Sequence, residues 1–404
     1  MEAGELGQRI AYWRQRRGMT QQLFADRIGK SVSWVAKVET GHRNASQLEV
    51  INRICEVLRV DMPVLLGRGL ARENQQCLNN TEAEAIRAAL ERYDVIATSL
   101  RGEVEPVALE QLQRQVRYVW TAFEVGDYSV IGATLPQLIT DAQRAHAASD
   151  SGDPHLAAAQ LLAEVYQLAA STLRKLGEYE LAWLAGDRGI PVAEETGNVL
   201  VSACTGFRVA NALLATGRAR AAYDLNISYA DRVETGVMSP AALPVYGNML
   251  LQAAMAAATH GDARSVRDLF KEAATVAERV GPGRDDYGLA FGQVNVGVHR
   301  VAAYVALGEG GTAIEVADQI DPAGLTQLRR ERHANHLVDL ARGHSQAGHR
   351  GAALEQLLAA EQRAAAEVQC RPAARAAIGD LLRRAHPSPP LELSRLADRA
   401  GVAA

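Results

Sequence analysis

Cysteine is scarce in this 404-residue chain: Cys55, Cys77, Cys204 and Cys370, with no C-x-x-C pair. That spacing excludes the usual zinc and thioredoxin-type motifs and offers no disulfide framework, so four reduced thiols in a cytoplasmic protein are expected. No run of 18 apolar residues occurs, which excludes a helical membrane span. The opening "MEAGELGQRI" is acidic and polar and lacks the apolar stretch of a secretory signal. Lysine is also rare, with four: Lys30, Lys37, Lys175 and Lys271. β-branched alternation and proline are sparse beyond residue 80, which argues against a sheet-built body.

What is present is helical composition. Hydrophobic residues make up 48% and charged residues 22%, enough for a sizeable core in a water-soluble chain of two or three domains. The net charge of −4 conceals an asymmetry. Residues 1–72 hold 12 Lys+Arg against 7 Asp+Glu, a net of +5, and the remainder holds 31 against 40, a net of −9. A basic N-terminal part on an acidic body points to a polyanion that meets only the first part.

Three parts of the sequence follow: residues 1–68, read as five short helices; a linker at 69–80, "GLARENQQCLNN", without helical periodicity; and residues 81–404, rich in alanine, leucine and arginine and read as helical throughout. The last part repeats. Six glycines, Gly126, Gly177, Gly217, Gly261, Gly308 and Gly348, each separate two apolar helical segments, at spacings of 51, 40, 44, 47 and 40. In four cases an alanine follows five places on: Ala182, Ala222, Ala313 and Ala353. Glycine supplies a left-handed helix stop. The small residue then lets the next helix pack closely. Units of this kind bury a core only by stacking.

In the first part, "TQQLFADRIG" has Thr20 as N-cap, Phe24, Ala25 and Ile28 on one face and Gly29 as stop. Next comes "SVSWVAKVETGHR", with Ser31 as N-cap. At about 100° per residue, Val35 and Val38 fall on one side, with Trp34 at its margin, and Ser33, Ala36 and Lys37 on the other. Two short helices joined by a tight glycine turn make a helix-turn-helix. Downstream, Ser46-x-x-Glu49 is a capping box, and Leu48, Ile51, Ile54, Cys55 and Leu58 form an inward stripe.

Over residues 5–66 the sequence resembles the Cro/CI-type (xenobiotic-response-element, XRE) DNA-binding family, whose pattern is matched by Arg14, Gly18, Met19, Thr20, Gln21, Phe24, Ala25, Gly29, Ser31, Val35, Val38, Glu39, Gly41 and Arg43. Trp13 and Leu23 depart from it. The resemblance implies a lambda-repressor-like five-helix domain whose second helix of the motif lies in the DNA major groove. Val32, Ser33 and Lys37 would then read bases: lysine donates to guanine O6/N7, serine donates or accepts, and valine meets a thymine methyl. Gln21, Trp34, Thr40, His42, Arg43 and Asn44 would contact phosphates, Gln21 alternatively bracing the reading helix. Arg14 and Glu39 would form an internal ion pair.

Residues 106–366 resemble the tetratricopeptide repeat, whose turn reads Gly-(Asp/Glu)-Tyr-x-x-Ala, as "GEYELA" at 177–182 does. The family repeats every ~34 residues, so this chain needs longer helices or inserted loops, with "SDSGDPH" (149–155) and "GPGRDDYG" (281–288) as candidates. One segment stands out: Tyr287, Phe291, Gln293, Asn295 and His299 place aromatic and polar groups among alanine-rich neighbours, a candidate ligand site on the concave face of the repeats. No catalytic constellation is found. "GEGGT" (308–312) lacks a P-loop lysine, "GHSQAG" (343–348) is no nucleophile elbow, and no H-E-x-x-H exists. His333 and His336 are spaced to share a metal, but a solvated helix face explains them more simply. No catalytic residue, metal site or cofactor is expected.

Together the resemblances imply an all-α, non-enzymatic transcriptional regulator: a homodimer binding double-stranded operator DNA, with a TPR-like α-solenoid sensing a small molecule or peptide. A TPR scaffold for protein partners, and a phage-type repressor or antitoxin without ligand sensing, remain as alternatives.

Overall fold

A computed structural model describes residues 3–16, 19–43, 48–58, 80–91, 106–149, 151–236, 239–280, 287–385 and 388–402. Every regular element among the described residues is a helix. None is long and apolar enough to cross a membrane. The chain divides into two compact units, Met1–Asn74 and Gln75–Ala404. The expected linker lies outside the described residues as far as Asn80, where a helix begins. Asn44, Ser46, Cys77 and the fifth N-terminal helix also lie outside them.

The first unit holds α1 (Ala3–Arg16), α2 (Gln21–Ile28), α3 (Val32–Glu39) and α4 (Leu48–Leu58). Thr20 caps α2 by accepting the Leu23 N–H (3.1 Å), and Ser31 caps α3 by accepting the Trp34 N–H (3.2 Å). Between them Gly29, at φ 68°, turns the chain in a left-handed conformation that costs glycine little. Both helices bury the faces their periodicity marks. Phe24, Ala25 and Ile28 meet Val35 and Val38, with Ile10 and Trp13 from α1 and Ile54 and Leu58 from α4. Burying each large apolar side chain contributes about 1.5–3 kcal/mol.

The second unit begins with α5 (Asn80–Glu91) and continues as a TPR-like stack of helix pairs. The first three pairs are α6 (Leu109–Val125) with α7 (Tyr128–Ala147), α8 (Gly152–Leu176) with α9 (Tyr179–Glu195), and α10 (Val199–Ala215) with α11 (Ala219–Thr235). Then come α12 (Ala242–His260) with α13 (Ala263–Val280), and α14 (Gln293–Ala306) with α15 (Gly310–Ala317). The short α16 (Pro322–Gln327) precedes the last pair, α17 (Arg330–Gln346) with α18 (Arg350–Arg363). Three helices close the stack: α19 (Ala365–Gln369), α20 (Pro372–Arg384) and α21 (Leu391–Arg399).

The six repeat glycines are the six turns between paired helices. Their φ angles all lie between 77° and 91°. The residue five places on is buried in every pair: Ile131, Ala182, Ala222, Val266, Ala313 and Ala353. The extra length of the repeats sits partly in the helices, α7 having 20 residues and α8 having 25. Residues 152–155 of the expected loop at 149–155 are helical instead, because α8 starts at Gly152. Residues 281–286 lie outside the described residues.

Two expectations about single residues change. Cys204 is a free thiol, but Cys370 is disulfide-bonded, against the reading of four reduced cysteines. Cysteines remote from one another in sequence leave no spacing signal when they pair. His333 and His336 are buried, 8% and 2% exposed, so they do not form a solvated face.

Candidate nucleic-acid interface and ligand cavity

With Val35 and Val38 turned into the core, α3 presents its other face outward. Ser33 and Lys37 are exposed and Val32 is half-buried. Trp34 is half-buried beneath the Lys30 ammonium, which lies 5.9 Å from the ring centre. Past the end of the helix, Thr40, His42 and Arg43 are all exposed. Thr40 Oγ1 donates to the Ala36 carbonyl (2.8 Å), and His42 Nδ1 lies 3.0 Å from Thr40 Oγ1. The Arg43 N–H bonds the Lys37 carbonyl (3.0 Å), so the chain wraps back over the end of α3.

The angle of this helix is fixed from behind. Arg14 on α1 donates two hydrogen bonds to Glu39, at 2.6 and 2.9 Å, and a third to the Met19 carbonyl at 2.7 Å. Gln21, at the start of α2, donates its amide to the same carboxylate at 2.8 Å. Three helices thus converge on one buried carboxylate, and Gln21 is engaged in the brace. A bidentate Arg–carboxylate pair fixes orientation as well as distance.

The second unit encloses a cavity of about 250 Å³. It is walled by the first helix of successive pairs, α6, α8, α10, α12, α14 and α17, with residues 288–290 and Arg371. Of the five residues expected to bind a ligand, only His299 lines it. Phe291 is 4% exposed and lies against Gly247, where no larger residue would fit. Gln293 is exposed and donates to the Ala274 carbonyl (3.3 Å). Asn295 is buried with both side-chain polar atoms unpaired, and Tyr287 packs at the edge of two apolar clusters.

The wall of this cavity mixes apolar side chains with charged ones. Lys175 bridges Glu331 (2.6 Å) and Glu367 (3.0 Å), and its ammonium lies 4.3 Å from the Phe123 ring centre. Glu367 also accepts from Tyr128 and pairs with Arg371 at 3.3 Å. Burial alone would raise the Glu331 carboxyl, but Lys175 and Arg332 outweigh it and hold it at about 2. Burial, then the charge of Arg332, drives His299 down to about 3. Its Nδ1 donates to the Asn295 carbonyl at 2.8 Å. Burial likewise brings His336 to about 4, so both imidazoles are neutral near pH 7. Elsewhere, His146 and His155 stack with ring centres 4.8 Å apart beside Glu195, a group the sequence did not single out because the three come from separate segments.

Comparison with known proteins bears on the first unit directly. Residues 5–66 match the family model described as a helix-turn-helix domain. This segment is a helix-turn-helix DNA-binding domain. No curated protein matches the chain. Among solved structures, the chain is similar to a Podosopora anserina structure of nearly identical kinesin-light-chain TPR-like repeats. That similarity has 16% identity and a TM-score of 0.34, covering 49% of this chain and 92% of that one. Bacillus thuringiensis PlcR, solved with the peptide PapR7 and DNA, is similar at 16% identity and a TM-score of 0.33, covering 69% of this chain and 95% of that one. At such scores neither neighbour says what this chain binds.

Proposed function

We infer that the protein is a sequence-specific transcriptional regulator that binds operator DNA as a homodimer and is modulated by a ligand in its helical-repeat unit. One observation carries the DNA-binding reading: within a matched helix-turn-helix, α3 exposes Ser33 and Lys37 while Arg14, Gln21 and Glu39 lock its other side. A reading helix must be rigid, because base discrimination depends on hydrogen bonds of fixed geometry. In this reading Ser33, Lys37 and the half-buried Val32 meet base edges. Trp34, Thr40, His42 and Arg43 sit at the flanking phosphates, and Asn44 lies next to them in sequence. Gln21 acts through the brace.

Two chains are needed because one small domain buries too little of the duplex for tight binding. Two half-sites about 34 Å apart match one helical turn of DNA. The cavity supports ligand sensing over a purely structural repeat unit, since a stack built only for assembly has no use for a polar hollow in its core. Fluorescence anisotropy on a preferred DNA site tests the assignment. Lys37→Ala is expected to weaken binding by about 1–3 kcal/mol and to relax choice at one base pair. Arg43→Ala is expected to weaken all sequences alike and reduce the salt slope by about 1. Unchanged affinity and selectivity for Lys37→Ala would remove α3 from the groove.

A further inference from the structure

The cavity in the second unit carries an excess of positive charge. Six cations line it: Arg174, Lys175, Arg208, Arg329, Arg332 and Arg371, against the two carboxylates Glu331 and Asp339. The carboxylates are already committed. Glu331 is taken by Lys175, and Asp339 by Arg342 at 3.0 Å. Arg371 pairs with Glu367 and Arg329 with Glu124 (3.2 Å). Three guanidinium groups are left with no carboxylate of a described residue within ion-pair distance: Arg174, Arg208 and Arg332.

Arg208 is held in position. It donates to Ser171 Oγ at 3.1 Å and to the Cys204 carbonyl, and stacks on Phe207 with its guanidinium carbon 4.4 Å from the ring centre. Arg174 and Arg332 make no hydrogen bond or ion pair with any described residue. Two further polar groups in the wall are unsatisfied. Asn248, 3% exposed, has no acceptor for its amide nitrogen, and His336, 2% exposed, has no partner at Nδ1. Buried polar groups are paired in the great majority of proteins, and leaving one unpaired is costly. Here the three guanidinium-bearing residues line one hollow whose remaining wall, at Trp120, Met255 and Leu289, is apolar.

We propose that this cavity binds a small organic anion with two acidic groups, carboxylate or phosphate, on a compact apolar body. The guanidiniums of Arg174, Arg208 and Arg332 take the acidic groups, and the apolar body lies against Trp120 and Met255. Arginine suits both acids because its planar fork donates two parallel hydrogen bonds. The volume of about 250 Å³ falls just short of the ~300–1,000 Å³ of drug-sized pockets, so the occupant is the size of a metabolite. Mutual repulsion of the cations fits this assignment. Burial first, then the charges of Arg371 and Arg332, bring Arg174 down to about 10, and burial does the same to Arg208. An anion relieves both costs.

The proposal rests on the ligand-sensing part of the functional reading and names its ligand class. Its test uses the full chain without DNA, so its failure and the failure of DNA binding are separate results. The melting temperature of the repeat unit is followed with citrate, pyrophosphate, phenyl phosphate and, as neutral control, benzyl alcohol. At least one anion at a hundred times its dissociation constant should raise the melting temperature by a few degrees, at about 1.5 °C per kcal/mol for a unit as long as Gln75–Ala404, and the control should not. A response to citrate alone assigns carboxylates, and one to the phosphates alone assigns phosphate. In R174Q and R332Q the response should fall at least ~10-fold in affinity, as befits the loss of a charged hydrogen-bonding partner, while the ligand-free melting temperature stays level or rises. No response to any anion overturns the proposal. So does an equal response in the R174Q/R332Q double variant, or a ligand-free destabilisation by either single change.

Discussion

Replacing Glu39 by alanine is expected to unfold the DNA-binding unit selectively. The Arg14 and Glu39 side chains are 9% and 6% exposed, so the pair is held almost entirely out of water. Removing one member of a buried pair typically costs about 3–5 kcal/mol, because the other charge is left without a partner. In Glu39→Ala three donors lose their acceptor at once: Arg14 Nε, Arg14 Nη2 and the Gln21 amide. The unit spans Met1–Asn74. At about 0.05–0.15 kcal/mol per residue, a domain of that size has roughly 4–11 kcal/mol of stability. The substitution therefore removes between about a quarter and all of it. Differential scanning calorimetry reads the effect directly. Each kcal/mol moves the transition of a 60–100-residue domain by about 4–8 °C, so the N-terminal transition should fall by about 12 °C or more, or vanish. The transition of Gln75–Ala404 should stay where it is. The double variant R14L/E39L should recover much of the loss, since apolar residues of similar size commonly replace buried ion pairs at little cost. A shift under about 4 °C in Glu39→Ala would refute the reasoning, because the brace would then carry less than about 1 kcal/mol.

Three further outcomes are expected. The folded-state values of His299 and His336, about 3 and about 4, lie below the ordinary imidazole value of about 6.5, so the unfolded chain binds protons that the folded chain refuses. Their stabilisation is complete above about pH 6.5 and is lost as pH falls towards those values, about 2 kcal/mol each by pH 5; urea midpoints at pH 7 and 5 should show it, and H336Q should remove about half. Gly247→Ala places a methyl inside the space of the Phe291 ring and should destabilise the repeat unit by about 1–3 kcal/mol, partly recovered by Phe291→Leu in the same chain; a change under about 0.5 kcal/mol would show that the contact is soft. Burial pushes the Cys204 thiol up to about 12, so in the native chain at pH 8 maleimide labelling followed by mass spectrometry should find Cys204 unmodified.

The parts of this structure legible in the sequence are those set by short-range periodicity and backbone chemistry. The six glycines, and the alanine five places on in four of the six pairs, were visible because a left-handed stop and a small contact recur at fixed separation; Ile131 and Val266 fill the same buried place without that signal. The Thr20 and Ser31 caps and the inward Val35 and Val38 were visible for the same reason, each lying within one helix of its signal. The cavity was not. Arg174, Arg208 and Arg332 stand on α8, α10 and α17, and only the stacking of helices brings them together. Within any one helix each reads as an ordinary solvated charge. The segment 287–299 was conspicuous for its aromatic and polar residues, yet most of that signal is packing. Phe291 fills the space opposite Gly247, and only His299 reaches the cavity. His333 and His336 misled in the opposite direction, because a polar helix face looks solvated until the next helix covers it.

The measurement that tests the central claim most directly is selection of genomic DNA fragments by the full chain at ~50 and ~200 mM salt, followed by sequencing of what is retained. The account predicts fragments sharing a two-fold motif with half-sites about one helical turn apart, held at the lower salt and released by a factor of ~10³ or more at the higher if each dimer neutralises six or more phosphates. Retention without a shared motif, or no retention at ~50 mM with and without the anions that fill the cavity, would contradict it.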